Sequence, residues 1–226
     1  NPSKLHGRPW SDHPGVELAA ADVYDLPSLT EALHGCRAVY YLVHSMNPGT
    51  SDFSHADRQA AENVAAATSA AGVGRIIYLG GLGEEGKGLS EHLASRAEVA
   101  RILRRGRVPV TVLRAAMILG SGSASFEILR YLVDRLPVMV TPRWIDTPCQ
   151  PIDVQNVLQY LMGCLECAAT VGETFDIGQL EVVTYRQLMQ IYAEEAGLRR
   201  RWIIKVPVLT PRVSSYWIHL VTPVSS

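Results

Sequence analysis

The 226-residue sequence predicts an α/β fold on a mainly parallel sheet, and three observations carry that prediction. Short runs of β-branched and aromatic residues alternate with longer stretches of helical spacing, the mark of repeated strand–helix units. Residues 38–43 (Ala-Val-Tyr-Tyr-Leu-Val) are apolar throughout, as a strand covered on both faces requires. The length suffices for one such domain with a small cap, and no internal repeat or low-complexity tract divides it.

The elements follow in order. Residues 16–18 (Val-Glu-Leu) form a short strand, from which Asp22-Val23-Tyr24-Asp25 leads into a helix over 28–33 closed by Gly35. The apolar strand 38–43 comes next, and its end is a candidate site edge. Residues 52–71 read as one Ala-rich helix, with Ala60, Ala61, Val64, Ala65 and Thr68 at helical spacing and Gly72 as its stop. Its early carboxylates, Asp52, Asp57 and Glu62, suit the positive end of the helix dipole and need no catalytic explanation. A strand over 75–79 opens into a glycine-rich loop over 80–88. A helix over 89–105, a strand over 109–113 before Arg114, and a helix over 126–136 continue the alternation. Beyond Pro137 the pattern is mixed: a strand over 138–140, a loop with Pro142, Pro148 and Pro151, a helix over 154–167, a strand over 174–177 and a helix over 185–196. The expected division is a first domain over 1–140 and a smaller lobe over 141–226.

Composition narrows the function. Lys plus Arg (21) nearly balances Asp plus Glu (22), so the overall field does not recruit a polyanion, and no nucleic-acid partner is expected. The basic run Arg199-Arg200-Arg201 reads as a solvated helix exit. Four irregularly spaced cysteines make no disulfide framework and fit a reducing cytoplasm. Cys164-Leu-Glu-Cys167 stands at a helix end, where no dipole lowers a thiol pKa, and has no second pair to complete a zinc site. The seven histidines show no ligand spacing, so no metal is expected. No run reaches the roughly 18 apolar residues of a membrane span. The apolar stretch 203–208 and residues 214–224 read by default as core, with an oligomer contact, a cover for the cleft or a following domain as alternatives. The sequence does not begin with Met, and its polar, Pro- and His-rich opening reads like the loop after a strand, so the start is taken as internal to a longer protein.

One motif invites a direct functional reading. Gly81-Leu-Gly-Glu-Glu-Gly86 fits GxGxxG, follows a strand and precedes a helix. Paired Glu84 and Glu85 would repel a pyrophosphate from such a cradle, and the acidic ribose partner expected about 20 residues on is replaced by the basic helical stretch 101–105. We read it as a flexible loop.

The surrounding motifs are more informative. Asp22-Val-Tyr-Asp25, Tyr40-Tyr-Leu-Val-His-Ser-Met46, a long helix carrying Asn63, Arg75-Ile-Ile-Tyr-Leu-Gly-Gly-Leu-Gly83, His92-Leu-Ala-Ser-Arg96, Leu113-Arg-Ala-Ala-Met-Ile-Leu-Gly120 and Pro151-Ile-Asp-Val154 occur in this order. In order and spacing the sequence resembles the atypical extended short-chain dehydrogenase/reductases, the NmrA-like and complex-I-subunit-like branch, over residues 18–207. The resemblance implies a Rossmann-type, doubly wound parallel sheet binding NAD(P)(H), with residues 141–226 as a substrate-side lobe. It implies Asp22 near the adenine, Val43, His44 and Ser45 beside the cofactor ribose, and the backbone of Ala115 and Ala116 along the nicotinamide. A turn cap is the competing role for Asp22.

Active members of the wider family carry a Tyr and a Lys one helical turn apart; here the pair is His92 and Arg96. The i, i+4 spacing puts both on one helix face. His92 can donate a proton near neutral pH, and Arg96 can bind ribose oxygens, although a fixed planar cation is no conservative replacement for Lys. A serine usual after the preceding strand is replaced by Gly80 or Gly81. A surface His and Arg on an amphipathic helix is the bland alternative.

In this family the phosphate loop lies between the first strand and first helix, ahead of the point where Asn1 stands. The resemblance therefore implies that about 40 residues forming the first strand, first helix and second strand are lacking. Those strands sit mid-sheet, so the 16–18 strand is left without a neighbour. A fragment of a longer protein is preferred to a rearranged fold, and NAD(P)(H) binding by this chain is expected to be weak or absent. The expected function is an NAD(P)-binding, reductase- or epimerase-like protein with a degenerate Tyr/Lys site acting on a small carbonyl compound. The alternatives are a non-catalytic NAD(P)-sensing or assembly protein, and an inactive fold fragment.

Overall fold

Helix α1 (Leu26–Ala32) begins just after Asp25, with a proline in its first turn where a missing N–H costs nothing. It leads to strand β1 (Val39–Tyr41), helix α2 (Phe53–Ala70), strand β2 (Ile76–Gly81), helix α3 (Glu91–Arg105) and strand β3 (Val110–Ala115). After these come β4 (Ile118–Leu119), α4 (Ala124–Arg135), β5 (Val138–Thr141), β6 (Pro148–Cys149), β7 (Ile152–Asp153) and α5 (Val154–Glu166). The series closes with β8 (Thr174–Ile177), β9 (Val183–Thr184), α6 (Tyr185–Glu195) and β10 (Trp202–Lys205). The computed structural model describes residues 5, 7–43, 53–82 and 91–206.

The chain forms two compact units, residues 1–114 with 162–175, and residues 115–161 with 176–226. The first is built on the parallel sheet β1-β2-β3-β8. β1 and β2 pair from Val39 opposite Ile76 to Tyr41 opposite Tyr78, with α2 as the crossover between them. α1 and α3 both pack on α2. Small residues allow this closeness: Ala61, Val64 and Ala67 of α2 meet Val99, Ile102 and Leu103 of α3 over Tyr41, Ile76, Tyr78, Val110 and Val112 of the sheet. Burying a side chain such as Leu103 is worth roughly 2–3 kcal/mol. α2 stops where Gly72 takes φ +71°, a backbone that favours glycine.

A buried arginine ties a later segment to this sheet. Arg75 Nη2 donates to Thr111 Oγ1 at 3.0 Å and to Thr170 Oγ1, and Thr111 Oγ1 donates to the Thr170 carbonyl at 2.6 Å. The 3₁₀ turn over 168–170 is thereby fixed against β2 and β3.

The second unit has its own core, in which Leu129, Leu132 and Val133 of α4 pack with Met139, Ile145 and Leu188 and Met189 of α6. β5 and β10 pair in parallel, as do β4 and β7, whereas β6 and β9 are antiparallel. A Cβ on Gly120 would stand 2.7 Å from Val154 Cγ1, so β4 and the start of α5 approach as only glycine permits. α6 opens with a capping box: Thr184 Oγ1 accepts from the Gln187 N–H, and Gln187 Oε1 accepts from the Thr184 N–H at 2.7 Å. Asp146 accepts from Arg186 and Lys205, whose cations hold its carboxyl below the usual range.

The α/β class and parallel sheet are as the sequence predicts, with two departures. Residues 16–18 form no strand, and the Val16 N–H instead donates to the His13 carbonyl in a turn at 2.8 Å. The strand expected over 38–43 shortens to 39–41, and Tyr40 is 38% exposed rather than covered on both faces. Both follow from β1 standing at the end of the four-strand order, with a strand neighbour on one side only among the described residues. Arg199 and Arg200 are exposed, as expected of a helix exit, but Arg201 Nε donates to the Val133 carbonyl at 2.8 Å and anchors the chain entering β10.

Candidate active site

The site is built where β2 ends and α3 lies across it. Period-two alternation on β2 turns Tyr78 and Gly80 toward the helices. One face of α3, carrying Leu93, Arg96 and Ala100, closes over them. Between helix and sheet is a cavity of about 320 Å³, whose lining includes Tyr78, Gly80, Gly81, Leu93, Arg96 and Arg114. A Cβ on Gly81 would come within 2.8 Å of Leu93 Cδ2 and 3.8 Å of Arg96 Cγ, and one on Gly80 within 3.0 Å of Tyr78 Cε1. Helix and strand thus leave little room where the resemblance expects a serine, and a serine at Gly81 would require Leu93 to shift.

Arg96 has its Nε buried with no hydrogen-bond partner. Its backbone carbonyl accepts from Tyr78 Oη at 3.3 Å. Burial pushes the Tyr78 pKa up, with the Arg96 cation pulling part of the way back. Tyr41, whose ring centroid is 5.8 Å from that of Tyr78, is pushed up strongly by burial and then by the carboxylate of Asp57. Asp57 is itself buried and accepts from Ser95 Oγ at 2.9 Å, joining α2 to α3 directly beside Arg96. Both phenols are neutral across the physiological range, so neither offers a base.

The other predicted site residues are placed as follows. His92 lies in the first turn of α3, one turn before Arg96, its side chain outside the described residues. Val43 follows β1 and is about half exposed, and His44 and Ser45 lie outside the described residues, as does most of the loop carrying Glu84 and Glu85. Asp22 is exposed and takes the turn-cap role, its Oδ1 accepting from the Tyr24 N–H at 2.9 Å; it does not line the cavity. Ala115 closes β3 and is buried, with Ala116 next in the chain. Of the CxxC cysteines, Cys164 is buried and Cys167 exposed, and both are free thiols. By sequence alone Tyr78 reads as a strand residue and Arg114 as the residue after a strand; the structure places both on the cavity. The signal for Tyr78 was available, since it shares its strand face with Gly80.

These residues can be tested against a dinucleotide. A guanidinium with a buried, unpaired Nε at a strand-end cavity is a donor set suited to ribose hydroxyl oxygens, so the residues fit the ribose portion of such a ligand. A parallel α/β sheet with a crevice at its strand ends defines a nucleotide-binding domain of the Rossmann type.

The chain belongs to the NAD(P)H-binding family, whose sequence profile matches residues 1–130. Among curated proteins there is no match. Among solved structures, the chain resembles a nucleoside-diphosphate-sugar epimerase from Staphylococcus aureus (18% identity, TM-score 0.75, covering 94% of this chain and 71% of that one). It also resembles the triphenylmethane reductase of Citrobacter sp. complexed with NADP(H) (19%, TM-score 0.71, 93% and 69%) and the dTDP-glucose 4,6-dehydratase of Streptomyces venezuelae with NAD bound (18%, TM-score 0.73, 92% and 72%). At these identities the likeness is one of fold, and with the family match it bears out the expected resemblance to extended short-chain dehydrogenase/reductases. No described helix is long and apolar enough to cross a membrane.

Proposed function

We propose that the protein acts as an NAD(P)-dependent reductase or epimerase-like enzyme on a small carbonyl or sugar-like substrate, with Arg96 as ribose clamp and His92 as proton donor. The observation that carries this reading is the buried, unpaired Nε of Arg96 at the β2–α3 cavity, one turn after His92. The bound nicotinamide would supply the hydride. Arg96 would donate to the ribose oxygens through its planar guanidinium and so fix the ribose end of the ligand. His92 gives a proton to the substrate oxygen as negative charge develops there. By the family resemblance, Asp22 would face the adenine, Val43, His44 and Ser45 the ribose, and the backbone of Ala115 and Ala116 the nicotinamide.

The test is a titration of NADPH and NADH into the protein, followed by nicotinamide fluorescence. Arg96→Gln is expected to weaken binding at least tenfold, and His92→Ala to abolish turnover while leaving binding within about twofold. Unchanged binding in Arg96→Gln would remove the ribose clamp. A second reading, a non-catalytic NAD(P) sensor or assembly subunit, is favoured by the glycines at both candidate serine positions together with His for Tyr and Arg for Lys. It predicts no turnover in either the wild type or His92→Ala, with partner binding unchanged.

A further inference from the structure

The cavity does not end at Arg96. It continues along α3 to the helix C-terminus, and its described lining holds five arginines, Arg96, Arg101, Arg104, Arg105 and Arg114, and no carboxylate. Arg104 lies eight residues beyond Arg96, about 12 Å along the helix axis at 1.5 Å per residue. We propose that this far end, formed by Arg101, Arg104 and Arg105 of α3 with Thr174 of β8, is a binding site for a small multiply charged oxyanion, separate from the ribose clamp.

Ordinary helix chemistry explains only part of the arrangement. Basic residues in a last helical turn complement the dipole, which accounts for Arg104 and Arg105 being basic. It does not account for their lining one cavity with Arg114, which comes from β3. Nor does it explain why the exposed Arg104 donates from Nη2 to Thr174 Oγ1, which ties the end of α3 to β8. Like charges one turn apart on a helix repel, and Arg101 and Arg105 are such a pair. The carboxylates nearby relieve this little: Glu98 takes Arg101 at 3.3 Å but is shared with Arg58, and Glu173 lines the adjoining open depression. A concave site with one sign of charge and walls of Ala100 and Val112 concentrates field and counter-ion. Guanidinium forks match phosphate and carboxylate oxygens two at a time. The occupant is therefore a compact molecule bearing a phosphate group or paired carboxylates, its body against the apolar wall.

The test begins without a dinucleotide and adds NADPH only as a competitor. Sodium pyrophosphate and, separately, citrate are titrated calorimetrically into the whole chain at low ionic strength. At least one is expected to bind saturably at one site, weakening at least tenfold in the Arg101→Gln/Arg104→Gln double variant and staying within twofold in Arg199→Gln/Arg200→Gln, which removes equal charge from an exposed run. Preference for pyrophosphate assigns a phosphate ligand, and preference for citrate a carboxylate one. If the double variant does not fold, Arg101→Gln alone carries the test with at least a threefold loss, since that side chain is 52% exposed and pairs with Glu98 on its own helix. Absence of saturable binding by either anion, an equal loss in the Arg199/Arg200 variant, or complete displacement of the anion by saturating NADPH would overturn the proposal. A failure of the ribose clamp would be read in Arg96→Gln and would leave these titrations unchanged.

Discussion

Arg75 is the residue whose energetics are least obvious. Its guanidinium is buried, its Nε has no partner, and it meets neutral oxygens of Thr111, Thr170 and Cys167 with no ion-paired carboxylate among the described residues. Burying a cation costs several kcal/mol that neutral hydrogen bonds only partly offset, whereas a well-shaped apolar replacement avoids that cost. Arg75→Met is expected to change unfolding free energy by less than about 1 kcal/mol, and Arg75→Ala, which leaves a cavity, to lose about 3 kcal/mol, both read from urea midpoints. The buried phenols give a pH signature. Tyr41 and Tyr78 have folded pKa values above the ordinary 10, so the folded state holds its protons where the unfolded chain releases them. Their contribution is fully present below about pH 10 and is lost as pH rises from there toward the folded values. Denaturation measured from pH 8 to 11 is expected to show that fall, and Tyr41→Phe to flatten part of it.

At the scale of elements, local signals were read best where they agree with packing. α2, α3, α5 and α6 lie within a residue or two of their expected spans, because helical spacing and terminal glycines such as Gly72 mark them independently of their neighbours. The strand over 16–18 failed for the opposite reason: a strand exists through its partner, and three residues of suitable type do not supply one. The two-residue strands β4, β6, β7 and β9 were illegible, since a period of two cannot be read in two residues. The place of Arg96 on the cavity face of α3 is legible in the helical spacing, but the glycine-lined floor and the contact of Tyr78 with the Arg96 carbonyl depend on how α3 lies over β2, which no local pattern encodes. The capping box of α6 gives a check at this scale. Thr184→Ala removes an acceptor for the Gln187 N–H and is expected to cost about 1 kcal/mol, measured by thermal or urea unfolding.

At the scale of the whole molecule, two separate cores imply separable responses. Leu103→Ala, in the fully buried centre of the first, is expected to cost about 3 kcal/mol and to speed native-state hydrogen exchange in α2 and β2 more than in α4 and α6. Met139→Ala in the second core reverses that ranking. The units are also interleaved: the first uses residues 1–114 and then 162–175, and the neighbour of β3 in the sheet is β8. During vectorial synthesis, the outer flank of β3 waits until residues 115–161 and the 3₁₀ turn held by Arg75 have emerged from the ribosome. A sheet whose last strand arrives so late spends its early life with an open hydrogen-bonding edge, so ribosome-stalled chains in which residues 174–177 are still inside the exit tunnel should be the ones that chaperones hold longest.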